Sequence, residues 1–118
     1  MPRRDGEALA PLLQWAQEHL HEPLTLDDLA RRSHATPRTL IRRFRAATGE
    51  SPHRWLLAQR LARARWLLES TDAGIDEVAA RSGLGTDANL RHHFTRVVGV
   101  APTDYRRSFR GRNGAARL

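Results

Sequence analysis

Cysteine and lysine are both missing from this chain of 118 residues. Without cysteine there is no disulfide, no thiolate metal site and no cysteine nucleophile. Without lysine, all 20 basic residues are arginine. That bias fits a GC-rich coding sequence, and it supplies side chains suited to bidentate recognition of phosphate and guanine. Long uninterrupted apolar runs are absent too, and the start Met1-Pro-Arg-Arg-Asp-Gly6 lacks the apolar segment of a secretory signal. Neither a membrane span nor export is expected, and a cytoplasmic location fits. The chain shows no Gly-rich phosphate loop, no Ser/His/Asp arrangement at a recognisable spacing and no carboxylate pair suited to a cleft. It does not read as an enzyme, and no cofactor is expected.

What is present is positive charge. A formal net charge of +7 and a pI near 11.5 make nucleic acid the leading partner, ahead of an anionic membrane surface or an acidic protein. The length allows one domain or two very small ones, with a modest core.

The most informative stretch is Thr36-Pro-Arg-Thr-Leu-Ile-Arg-Arg-Phe-Arg45. Thr36 can cap a helix, and Pro37 is tolerated at the first helical position because its missing N–H would be unpaired there. At about 100° per residue, Leu40, Phe44 and Ala47 share one face, while Arg38, Arg42 and Arg45 centre almost opposite. One side packs and the other is a cationic blade with no acid in it.

Around it, Leu9, Leu12, Leu13, Ala16 and Leu20 recur at helical spacing, predicting a first helix that Pro23 ends. Thr25 caps a short second helix, with Asp28 at the capping-box position and Leu26, Leu29 and Ala30 on the buried side. Ser33-His34-Ala35 turns tightly into the Thr36 helix, which Gly49 closes, so the spacing is that of a helix-turn-helix. Pro52 to about Ser70 runs without a breaker as a long helix of roughly 27 Å. The tryptophans Trp15, Trp55 and Trp66 read as core or helix-packing residues.

The sequence then repeats itself. Leu26-Asp-Asp-Leu-Ala-Arg-Arg-Ser33 matches Ile75-Asp-Glu-Val-Ala-Ala-Arg-Ser82 at a shift of 49. After one extra turn residue the shift is 50, so that Thr36, Leu40, Phe44, Gly49, Pro52 and Trp55 answer to Thr86, Leu90, Phe94, Gly99, Pro102 and Tyr105. Two helix-turn-helix units follow. We divide the chain into a leader (1–8), a first unit (9–51), a connecting helix (52–70), a second unit (71–109) closing with a short helix from Pro102 to about Phe109, and a flexible tail (110–118).

In helix-turn-helix docking the start of the second helix meets base edges. Arg38 and Arg42 are therefore the expected guanine readers, Ile41 can touch a thymine methyl or cover core, and Arg45 and Thr36 suit phosphate. On the second blade Leu90, Phe94 and Val97 are expected inward and Ala88, His92, Thr95 and Arg96 outward. Ala88 and His92 stand at the base-reading positions, with Thr86, Arg91 and Arg96 gripping the backbone. His92-His93 is not a metal site by this reading, because adjacent helical residues point about 100° apart and no third ligand follows at the next turn.

Leu26 to Ser33 with Thr36-Pro-Arg-Thr-Leu-Ile-Arg-Arg-Phe44, Gly49-Glu-Ser-Pro52, Arg60-Leu-Ala-Arg-Ala64 with Leu67-Leu68, Ile75 to Gly83, Phe94, Val98-Gly-Val-Ala-Pro102 and Tyr105 together resemble the DNA-binding domain of AraC/XylS-family bacterial transcription regulators. Ala88-Asn-Leu-Arg-His-His-Phe94 is similar to the branch that carries a DJ-1/PfpI-like N-terminal domain, including AdpA-type regulators. The resemblance implies an all-α fold of seven helices, with two helix-turn-helix subdomains joined by a long strut helix. It also implies major-groove recognition of double-stranded DNA by both readers, with base-reading positions at Arg38, Ile41, Arg42, Asp87, Ala88 and His92. A sensor or dimerisation domain ahead of this segment and RNA polymerase as a further partner are expected on the same ground. The rival reading is a protein-interaction module whose cationic faces dock on an acidic partner.

Overall fold

The computed structural model describes residues 5–117, with side chains for 9–112; the expected leader's residues 1–4 and Leu118 lie outside it. Seven helices follow one another: α1 (Asp5–Glu18), α2 (Leu26–Arg32), α3 (Pro37–Thr48), α4 (Pro52–Ser70), α5 (Ile75–Ser82), α6 (Asp87–Val98) and α7 (Pro102–Arg117). No strand occurs among the described residues. The chain forms two compact units, one up to Gln59 and one from Arg60, so the boundary falls inside α4.

In the first unit, α1 and α2 both pack on α3. The local chemistry explains where these helices begin and end. Asp28 N–H donates to Thr25 Oγ1 at 3.0 Å while Thr25 N–H donates to Asp28 Oδ2 at 3.1 Å, a complete capping box. Thr39 N–H donates to Thr36 Oγ1 at 3.2 Å at the start of α3, and Gly49, at φ 82°, closes that helix with its N–H on Arg45 O. Leu9, Leu12, Ala16, Leu20, Leu29, Ala30, Leu40, Phe44, Trp55 and Leu56 form one buried cluster. Phe44 meets Trp55 edge-on at 5.8 Å.

The second unit repeats the arrangement. Here α6 packs on α5 and α7, Thr86 caps α6 through Asn89 N–H at 3.1 Å, and Leu90 and Phe94 are fully buried. The C-terminal half of α4 supplies Leu61, Ala64, Leu67 and Leu68 to the buried residues of this unit. Arg106 Nε and Nη2 donate to Leu68 O at 3.1 Å and Thr71 O at 3.2 Å, closing carbonyls at the end of α4.

Four readings of the sequence need correction. Helix α1 starts at Asp5, inside the expected leader, and ends at Glu18 rather than running towards Pro23; a turn with Glu22 N–H on His19 O at 3.0 Å takes over. Val97 is 66% exposed, because the buried stripe advances from Leu90 to Phe94 in a step of four, and the next such step is the half-buried Val98. Trp66 is 56% exposed, lying on the side of α4 opposite Leu61, Ala64 and Leu68. Finally, α7 does not stop near Phe109 but continues as helix to Arg117, across the expected flexible tail. Its middle is anchored by Arg106 and by Arg110, which pairs with Asp72 at 2.9 Å and donates to Thr71 O.

Candidate nucleic-acid interface

Capping and burial orient α3. With Leu40 and Phe44 turned into the core and Thr36 closing the N-terminus, the remaining face must project, and Arg38, Ile41, Arg42 and Arg45 are all exposed. Ile41, readable as either core or surface, is 36% exposed. The first turn of α3 holds no acid, and among the described residues neither Arg38, Arg42 nor Arg45 takes part in an ion pair. Arg38, in the first turn, therefore adds to the positive N-terminal end of the helix dipole, while Arg42 and Arg45 carry the positive charge along the face to the last turn. Thr36 is already engaged, since its hydroxyl also donates to Thr39 Oγ1 at 3.0 Å. Any contact it makes to an anion must coexist with the cap.

The α6 face is built differently. Ala88, Arg91, His92, Thr95 and Arg96 are exposed and together line a shallow concavity. Asp87 in the first turn binds Arg91, with Arg91 Nη2 on Asp87 Oδ2 at 2.9 Å. Asn89 faces solvent yet its amide is committed to the backbone, donating to Leu84 O at 2.8 Å and fixing the turn before α6. The rings of His92 and His93 stand edge to face at 4.9 Å. Among the described residues no three His, Cys, Asp or Glu side chains converge as metal ligands, and no helix is long and apolar enough to cross a membrane.

The structure thus brings Arg38, Ile41, Arg42 and Arg45 onto one exposed face, and Ala88, Arg91, His92 and Arg96 onto another. The Asp87–Arg91 pair escaped the sequence reading, although its signal was there as an acid four residues before an arginine on one helix. Arg32, whose guanidinium lies 3.8 Å over the Trp15 ring, was not readable, because that contact joins α2 to α1.

Comparison with known proteins agrees with this geometry. A family model described as a helix-turn-helix domain matches residues 29–108. An HTH-type transcriptional regulator of Mycobacterium tuberculosis is 38% identical over 84 residues, which cover 71% of this chain and 32% of that protein. The HTH-type transcriptional activator RhaS of Salmonella schwarzengrund is 34% identical over 98 residues, 83% of this chain and 35% of the relative. The chain therefore spans about a third of the length of these relatives, which are named as transcription regulators and not as enzymes. Among solved structures, the DNA-binding domain of AdpA, captured with a target DNA, superposes with a TM-score of 0.86 at 45% identity, covering 89% of this chain and 95% of that one. The C-terminal domain of AraT, a response regulator from Geobacillus stearothermophilus, gives 0.83 at 31% identity, covering 90% and 88%. Two capped helix-turn-helix units, an unpaired arginine face and these matches lead to one conclusion: the chain belongs to the AraC-type family of helix-turn-helix DNA-binding domains.

Proposed function

We propose that this chain binds double-stranded DNA sequence-specifically for transcription regulation, with α3 and α6 each entering a major groove and α3 the principal base reader. The observation that carries this reading is the exposed Arg38, Arg42 and Arg45 face, which meets no carboxylate among the described residues. A solvated face gains from mixed charge, whereas an unbalanced one suits a polyanion. The AdpA domain, solved with its target DNA, supports the same use of the fold.

In this reading Arg38 and Arg42, one turn apart, pair with O6 and N7 of guanine, each good pair contributing about 1–3 kcal/mol of discrimination. Ile41 borders them and contacts a thymine methyl. Arg45, Thr36 and Thr86 lie against phosphate with Arg96, and Ala88 and His92 give the second unit a weaker sequence preference. Two unlike readers in one chain suit an asymmetric site, since no palindrome is needed to match them. Helix α4 is the element that carries the chain from one reader to the next. For the whole protein we propose a further sensor or dimerisation domain, a cytoplasmic location, RNA polymerase as a further partner, and activation of transcription, as the RhaS relatives are named activators.

Selection from a randomised duplex pool, followed by sequencing of the bound fraction, tests the reading. An enriched motif containing G·C pairs is expected, and Arg38→Ala or Arg42→Ala should erase the preference at one of them. Equal losses on selected and random DNA for both variants would refute base reading by α3. A wild-type chain that enriches no motif would instead favour an acidic protein as partner.

A further inference from the structure

We propose that Asp87 is a positioning residue that holds Arg91 for a guanine edge, so that the pair acts as a base reader in the second unit instead of Arg91 serving as a phosphate anchor. The inference rests on the DNA-binding reading above and changes the role of one residue within it.

Three observations converge. First, Arg91 lines the same concavity as Ala88 and His92, the two residues at base-reading positions of α6. Under the internal repeat Arg91 answers to Ile41, which is exposed beside Arg42 on the α3 face. Arg96 lines it too, but Arg91 alone of the two arginines stands where α3 carries a base-contacting residue.

Second, the guanidinium is oriented before any ligand arrives. Arg91 Nη2 donates to Asp87 Oδ2 at 2.9 Å across one helical turn, in the sense where the acid precedes the base and also sits favourably near the positive helix end. The fork has donors to spare: one N–H is used by Asp87, and the others remain for a two-point contact with O6 and N7. In water such an exposed pair contributes little, but in a groove from which water is displaced the same charges interact more strongly.

Third, charge argues against phosphate. A phosphate anchor works by net positive charge and counterion release, and Asp87 cancels the charge of Arg91 while adding its own repulsion toward DNA. A geometric contact with a base edge tolerates that cancellation, because its discrimination comes from matched donors and acceptors. On α3 the same positions are Pro37 and Ile41, so the ion pair is particular to the second reader.

The test compares wild type, Arg91→Lys, Arg91→Ala and Asp87→Asn by selection from a randomised duplex pool and by titration of the selected and a random duplex. Arg91→Lys keeps the charge and loses the fork. We expect it to lose a G·C preference that Arg38→Ala retains, with roughly fivefold weaker binding to the selected site and little change on random DNA, the fivefold loss being the low end of a bidentate contact. Asp87→Asn should weaken the same preference while tightening binding to random DNA. The proposal is overturned if Arg91→Lys selects the wild-type motif at wild-type affinity, or if Arg91→Ala weakens all sequences equally; the second result makes Arg91 a phosphate anchor. A wild-type chain that enriches no motif defeats the DNA reading and this inference together, whereas an unchanged motif in the Arg91 variants defeats this inference alone.

Discussion

Phe94 and Tyr105 meet edge to face, with ring centroids 5.4 Å apart and planes inclined at 69°. The residues that answer to them in the first unit, Phe44 and Trp55, stand at 5.8 Å and 66°. The two copies thus keep the same aromatic contact although one ring has been exchanged. Both phenylalanines are buried to within 1%. Phe44→Ala and Phe94→Ala should each cost about 3–5 kcal/mol, combining lost transfer energy with the cavity left behind. Urea unfolding followed by circular dichroism measures this, and a loss under about 1 kcal/mol would show that the site collapses around the gap.

Gly49 and Gly99 hold φ of 82° and 96° at the ends of α3 and α6, and a Cβ added at either meets nothing within 4 Å. The cost of Gly99→Ala is therefore conformational alone, about 1 kcal/mol, and Gly99→Asn should cost less because asparagine enters this region more readily. Thermal midpoints of the three proteins should fall in the order Gly, Asn, Ala.

The Thr25 backbone N–H, then its hydroxyl and the Arg31 guanidinium, hold the Asp28 carboxyl below the usual carboxylate range. A depressed folded-state pKa means that the contribution to stability is complete above the unfolded value near 3.8 and is lost as pH falls through the folded one. Asp28→Asn should accordingly be less stable than wild type at neutral pH, with the gap closing under acid. Chemical denaturation at a series of pH values tests the sign; a gap that widens toward acid contradicts it.

Arg106 joins α7 to the end of α4 through Leu68 O and Thr71 O, residues distant in sequence. Burial, then the neighbouring Arg110 charge, lowers its pKa, yet the group stays charged at neutral pH. Arg106→Met keeps much of the stem and removes both bonds, and we expect a loss of about 1–3 kcal/mol. Arg107, exposed and paired with Asp104 in its own helix, is the control, and Arg107→Met should cost under about 0.5 kcal/mol.

If Arg45 and Arg96 lie against phosphate, Arg45→Ala and Arg96→Ala should weaken binding to all duplexes alike and reduce the dependence of log K on log salt by about one for each contact removed. Fluorescence anisotropy across a salt series reads this directly. An unchanged slope for either variant removes that residue from the backbone contacts.

Much of the architecture was legible without coordinates, because the forces that set it are local. The capping box of Thr25 and Asp28, the Thr36-Pro37 start and the Gly49 end act within four residues, and they place α2 and α3 where the sequence puts them. The internal repeat added the second copy, and the bounds of α4, Pro52 to Ser70, follow from a stretch with no breaker. Arg38, Arg42 and Arg45 were readable as an exposed set because helical periodicity fixes which residues oppose Leu40 and Phe44.

Contacts across the fold were decided elsewhere. Arg106 capping α4, Arg32 over Trp15 and the solvent side of Trp66 depend on which helices meet and along which ridges, and neighbours in sequence do not specify that. The same holds for α4, where an unbroken helical stretch does not say that its two halves serve different cores. Charge pattern and capping, both short-range, were determined by the sequence; the partners of each long side chain were chosen by tertiary packing, because burial and hydrogen bonding there depend on residues tens of positions away.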